Sequence, residues 1–416
     1  MSHQNDIDGP PPPGRLPVIG NPAFRNADFR RLWAASACSF YGMTGEQVII
    51  GLLVYRITQS SAWVGTAMAL YYLPLLVAGP LAGAVADWLD RRVLLRRLEL
   101  AILANLLLFA GAVALGWVAL WPILLFTSVA GSLRAMHSPV RTSYAYDIVG
   151  GKQIVASLGL LNLGTRMGSF AGALIAGAAM ESFGTPAALL ALAGAHGVAF
   201  TLLLRLQYAG FAAPAVRAPI LQNLREFKHE LLNNRVLLML ILLTAAVEVF
   251  GFSFSTALPE LAVARFHVGP EGLGMMHAAR ASGGIVASLA LSAMGGLERK
   301  GTVFLVVIYA FGGSLLFLAV SEPFVLGLAA LVLVAVMATA SDVLTQSMVQ
   351  LSVANEFRGR AMGTWSLAIG SAPLGHLVMG ALIVAIGVGG ALAVNGVALI
   401  ILGLVATIAV PRLRKL

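Results

Sequence analysis

A single cysteine, Cys38, stands among 416 residues. An internal disulfide framework is therefore excluded, and no Cys/His cluster has metal-ligand spacing. Charge is scarce too: Asp, Glu, Lys and Arg make up 11% of the chain and hydrophobic residues 59%, with a mean hydropathy of +0.87. That excludes a water-soluble fold, whose outside must stay polar. Acidic residues are the scarcer, 18 against 27 basic, for a formal charge of +9. In a soluble protein this excess would suggest nucleic acid. Here it collects between long apolar runs, where the positive-inside rule accounts for it, so nucleic acid is set aside. No nucleophile–base pair marks an accessible face, which argues against an enzyme. A signal peptide is also missing; residues 1–29 are polar and Pro-rich, with Pro10 to Pro13 in a row, and are expected to form a disordered cytoplasmic tail.

What the chain does have is apolar length. Twelve spans are expected, roughly 31–55, 62–86, 94–117, 120–146, 154–180, 186–206, 235–258, 271–296, 302–320, 323–348, 359–385 and 388–410. Most exceed the ~18 residues needed to cross a hydrocarbon layer. Basic residues alternate between the connections. Arg15, Arg25, Arg30 and Arg31 precede the first span, Arg91, Arg92, Arg96 and Arg97 follow the second, and Arg412, Arg414 and Lys415 follow the last. Only Arg56 and Arg265 fall in connections on the other side, so both termini are expected in the cytoplasm. The longest polar stretch, 207–234, contains the amphipathic piece LQNLREFKHELL and reads as a surface helix joining two bundles, 30–206 and 235–411, with a short tail at 412–416.

The two bundles resemble each other. A shift of 203 positions lays Gly172, Leu174, Gly177, Ala178 and Gly184 onto Gly375, Leu377, Gly380, Ala381 and Gly387, and puts Glu46 within one residue of Glu248. Parallel repeats of this kind suit alternating access around a midplane site.

After the second span the chain reads GPLAGAVADWLDRRVLLRR. Gly79 and Gly83 give a small face, and Asp87, Asp90, Arg91 and Arg92 follow in a tight turn suited to a cytoplasmic gate. This stretch resembles the signature of the major facilitator superfamily, G-x-x-x-D-R-x-G-R-R/K, at Gly83, Asp87, Arg91 and Arg92. Trp88 and Asp90 depart from it, and the second half keeps only Glu298-Arg299-Lys300. The segments FRRLWAASACSFYGMTGEQVIIGLLVYRITQSSAWVG and NEFRGRAMGTWSLAIGSAPLGHLVMGALIVAIG are similar to the enterobactin-exporter and macrolide-efflux branch. The resemblance covers nearly the whole chain. It implies an all-α membrane protein with twelve helices in two pseudo-symmetric bundles. It also implies secondary transport, commonly proton-coupled export. Family antiporters often carry Gly-Pro in span 5, where this chain has Phe170-Ala171.

Ionisable residues deep in the membrane cost at least roughly 2.5–3.5 kcal/mol and normally face a partner or a wet cavity. Glu46 and Glu248 are the candidates for proton or ion coupling. Glu46 paired to Arg134 or Arg166, purely to hold helices together, is the competing reading. The substrate candidates are Arg134, His137, Arg166, Arg280, Thr244 and Ser255. Thr244, Glu248, Gly251 and Ser255 follow i, i+4, i+7, i+11 on one helical stripe, and Arg134, His137 and Arg141 share a face. Arg166 projects roughly 200° away from the Gly164–Gly168–Gly172 packing strip, which places it toward a central cavity. Asp147 and Asp342 are read as gate partners of Gly83, Asp87, Arg91 and Arg92.

The expected function is export of a small, amphiphilic, negatively charged solute, siderophore- or drug-like, across a bacterial inner membrane. It would use protons and lipids as partners, a monomeric protein and no cofactor or metal. Uptake or lysolipid flipping on the same scaffold stays open, favoured by the missing Gly-Pro pair. So does a non-transporting scaffold, against which the deep acids argue.

Overall fold

The computed structural model describes residues 22–88, 90–150, 153–210, 234–293, 299–353 and 358–415. The N-terminal tail before Pro22 and the amphipathic piece of the linker lie outside them. Among the described residues the chain is all helix. The long elements are α1 (Ala27–Thr58), α2 (Ser61–Trp88), α3 (Arg91–Ala114), α4 (Leu120–Val149), α5 (Ile154–Leu204) and α6 (Arg235–Ala246). They continue as α7 (Pro270–Ala293), α8 (Lys300–Val320), α9 (Phe324–Leu351), α10 (Arg358–Ile369) and α11 (Ala372–Ala409). Seven helical stretches among these residues are long and apolar enough to cross a membrane.

Helix starts are set by polar side chains. Asn26 accepts from the backbone N–H of Asp28 at 2.9 Å, Asp90 from Arg92 at 2.8 Å, and Asn234 from Leu237 at 3.1 Å. Each satisfies a donor that the first helical turn leaves free.

Glycines decide how the helices approach. A Cβ at Gly164 would strike the Trp33 ring, one at Gly168 the Ala37 carbonyl, and one at Gly172 the Tyr41 carbonyl. The strip read from the sequence is thus the seam of α5 on α1. Trp33 Nε1 adds a hydrogen bond to the Leu160 carbonyl at 2.9 Å. In lipid, where apolar burial does not drive helices together, such close backbone approach is a main source of cohesion.

The internal repeat has a structural counterpart. α5 breaks at Gly184 (φ 81°, ψ 173°), and α11 breaks at Gly387 (φ 75°, ψ 164°), positions related by the same shift. Gly45 touches Ala176 on one arm of α5 and Leu192 on the other, so the arms fold back side by side. Gly177 packs on Pro270 and Gly274 of α7, while its counterpart Gly380 packs on Ser61 and Ala62 of α2. Each half therefore docks on the other through equivalent helices.

The segment Arg235–Arg265 departs from expectation. After α6 it widens into a π turn at Val247–Gly251, tightens into a 3-10 stretch at Phe252–Ala257, and widens again at Leu261–Arg265. These changes of pitch break the register assumed for Thr244, Glu248, Gly251 and Ser255. Thr244 is buried with its hydroxyl donating to the Leu240 carbonyl at 2.8 Å, and Gly251 faces Phe311.

Candidate functional site

A cavity of about 240 Å³ lies between the two halves. From the N-terminal half, α1 contributes Phe40, Thr44 and Gln47, α2 contributes Tyr72, and α5 contributes Arg166 and Ser169. Facing them are Phe254, then His277 and Arg280 on α7, and Thr339 and Asp342 on α9. The wall mixes aromatic and small apolar side chains with polar and charged ones in about equal number, so it can hold an apolar body and orient polar groups. Arg166 reaches across the interface, and its guanidinium fills the space that a Cβ at Gly284 would need. The Asp342 and Arg280 charges act on Arg166. Arg280 lies 5.6 Å from the centroid of the Phe254 ring, a cation–π distance. Two guanidinium groups against one carboxylate leave the wall with a surplus positive charge.

Asp342 was expected at the inner rim, and its place in this wall is a correction. Residue 342 lies about nine positions before the end of α9, so counting from the span end put it too shallow. Ser255 lines a smaller neighbouring void with Gln47, Tyr72, His277 and Arg280. Glu248 sits half-buried in the π turn, where its backbone carbonyl crowds Gly375. Its carboxylate has no ion-pair partner among the described residues and feels the charge of Asp342.

Glu46, Arg134 and His137 are absent from the cavity wall and meet one layer behind it. Arg134 Nη2 donates to Glu46 Oε2 at 3.0 Å, and the same nitrogen lies 3.5 Å from His196 Nε2. His196 Nδ1 is 2.7 Å from Glu99 Oε1, which also accepts from Ser39 Oγ at 2.9 Å. A guanidinium only donates, so in this chain His196 Nε2 is the acceptor and its Nδ1–H donates to Glu99. His137 Nε2 lies 3.0 Å from Glu99 Oε2, at hydrogen-bond distance but without hydrogen-bond geometry, and both atoms are enclosed and unpartnered. Glu99 is fully buried, at 0% exposure. The sequence reading missed it because it stands close to the start of α3, among rim arginines. Its face-mates Ile102 and Leu106, spaced i+3 and i+7, are buried core residues, and that spacing was the available signal.

The rim of the N-terminal half at the start of α3 is a lattice of arginines. Arg91 bonds Asp147 at 2.7 Å, Arg92 donates to the Gln207 carbonyl at 2.8 Å, and Arg96 Nε donates to the Leu203 carbonyl at 2.9 Å. Asp28 accepts from the backbone of Gln207 and Tyr208. The bonds named here tie α1 and α3 to the exit of α5, and α4 to α3. Gly83 and Asp87 lie in the last turns of α2, and their side-chain surroundings fall outside the description, as do those of Arg358 and Arg360.

At the opposite end the halves touch. Ser61 Oγ donates to Glu260 Oε2 across the interface, Gly51 packs on Pro259, and Gly65 on the backbone of His376. His376 is stacked on Tyr72 at 5.1 Å and bonded to Thr256 at 2.8 Å. A two-half bundle closed at one end around a charged midline cavity is the architecture of a carrier.

Known proteins share it. The chain is 23% identical over 352 residues, 83% of its length and 87% of the relative's, to the Staphyloferrin A transporter of Staphylococcus aureus. It superposes on a solved nucleoside transporter with a TM-score of 0.76 at 14% identity, covering 91% of this chain and 99% of that one. A solved peptide transporter gives 0.77 at 15% identity, covering 94% and 95%. At such identities the structures speak for the fold alone. The sequence pattern of the transmembrane secretion effectors matches residues 20–415, nearly the whole chain, and the protein therefore belongs to that transporter family of the major facilitator superfamily.

Proposed function

We propose that the protein exports a small, amphiphilic, negatively charged solute of siderophore type by proton-coupled alternating access. The central cavity between its halves is the substrate site. The observation that carries this reading is the pairing of Arg166 and Arg280, one from each half, in a cavity wall whose one carboxylate is Asp342. A buried cation surplus is costly without an anion to face it. The siderophore-transporting relative supports the substrate class, and α5 and α11, each broken at a glycine, support a count of twelve crossings. By the distribution of basic residues both termini face the cytoplasm of a bacterial inner membrane. The end closed by Ser61 and Glu260 is then the outer one.

The test is transport in reconstituted vesicles. A panel of carboxylate siderophores and their neutral esters is offered under an imposed pH gradient, with wild type beside Arg166→Gln and Arg280→Gln. Acids should move and esters should not, and each variant should lose at least tenfold in rate. Equal movement of acid and ester, unchanged in both variants, would overturn the reading.

A further inference from the structure

Behind the cavity wall lies a group of titratable side chains that substrate binding does not use. We infer that Glu99 and His137 form the proton-binding site of this carrier, and that Glu46 does not. This assignment rests on the proton-coupled reading given above.

Glu46 is already partnered by Arg134 at 3.0 Å, whose guanidinium can only donate. Among the described residues Glu99 has no Arg or Lys in contact. One of its oxygens is satisfied by Ser39 and His196. The other stands 3.0 Å from His137 Nε2 with neither atom hydrogen-bonded. With the N–H of neutral His137 on Nδ1, Nε2 faces the enclosed carboxylate oxygen bare at 3.0 Å, and a second proton on the ring would complete an ion pair there. When it arrives it sits on His137 Nε2 and is shared with Glu99 Oε2; no other bond breaks.

Among the described residues the groups facing this pair are few. They are Cys38, Ser39 and Glu46 on α1, Tyr71 on α2, Arg134 and Arg141 on α4, and His196 on the second arm of α5. With both imidazoles neutral, Glu46, Glu99, Arg134 and Arg141 sum to zero charge, so one added proton makes the cluster cationic. A path to the substrate is also visible. Ser39 and Glu46 belong to the cluster, while their chain neighbours Phe40 and Gln47 line the cavity. Arg141 is 5.1 Å from the centroid of the Phe40 ring, with Nε and Nη1 unpartnered, and its charge reaches His137. A solute pressing on Phe40 would move that charge relative to the proton site.

The experiment needs no substrate in its first arm. Infrared difference spectra between about pH 5 and about pH 8 are recorded on the full-length protein in lipid, with 13C-labelled histidine. A histidine band and a carboxylate band should change together in wild type. Both changes should vanish in Glu99→Gln, and the histidine change in His137→Gln. Bands unchanged by either variant would overturn the assignment. Should the variants not fold, wild type still decides, since no histidine change between the two pH values overturns it as well. The second arm uses vesicles with a pH-sensitive dye and the siderophore panel. No solute-driven proton movement in wild type removes the proton coupling proposed above. Movement present in wild type and undiminished in Glu99→Gln removes only the present assignment.

Discussion

Glu46 and Arg134 meet at 3.0 Å with side-chain exposures of 3% and 9%. Removing one partner of a buried pair typically costs about 3–5 kcal/mol, because the other charge is stranded. Glu46→Gln should therefore lower the thermal midpoint of the purified protein by several degrees, and Glu46→Gln with Arg134→Gln should recover part of the loss. A double variant no more stable than the single one would show that the pair is not the source. Gly284 makes a subtler case. Its missing side chain gives Arg166 room, so Gly284→Ala should displace a guanidinium without touching it. Binding of an anionic solute should weaken about tenfold, or about 1.4 kcal/mol, while thermal stability changes little, because the obstructed group is the far end of a flexible side chain. Calorimetric titration with the tightest-binding carboxylate siderophore checks this.

At the scale of elements, the two broken helices carry the clearest prediction. Gly184 and Gly387 combine φ near +80° with extended ψ, a region essentially reserved for glycine. Gly184→Ala and Gly387→Ala should each cost about 1–3 kcal/mol, read as lowered thermal midpoints. Equal stability of either variant to wild type would mean that the arms can reverse without the glycine. The α1–α5 seam is stricter still, since a larger side chain at Gly168 meets backbone that cannot step aside.

The same elements explain what could be read in advance. The seam was legible because glycines four apart mark one helix face, and the position of Arg166 followed from 3.6 residues per turn. The repeat was legible because Gly184 and Gly387 are conformational necessities. The stripe through Thr244, Glu248, Gly251 and Ser255 failed because nothing in VEVFGFSFSTA announces a change of pitch, which tertiary packing imposes. Glu99 and Asp342 were misjudged from another cause. Depth was measured from the ends of apolar runs, whereas burial depends on the neighbours that a helix face meets. Among the deep charges the sequence supplied the members other than Glu99, and folding divided them into a cavity-facing set and a sealed one.

At the scale of the whole molecule, the halves meet through Ser61 and Glu260, Gly177 and Pro270, and Gly380 and Ser61. The proposed alternating access requires this seam to part. Glu260→Gln with Ser61→Ala weakens the bond that crosses it and should raise the population open at that end. A cysteine introduced as Ser255→Cys in a Cys38→Ser background should then react several-fold faster with a membrane-impermeant maleimide added outside. An unchanged rate would mean that the glycine contacts alone keep the seam shut.

The glycine reversals also bear on how such a carrier can move. Each joins the last two helices of its half with no slack between them, so neither arm can slide lengthwise past its twin. A pull on one must be passed to the other, as in the two legs of a staple. Motion at those corners is restricted to tilting of the whole staple, and a solute pushing on Arg166 has leverage on both legs at once.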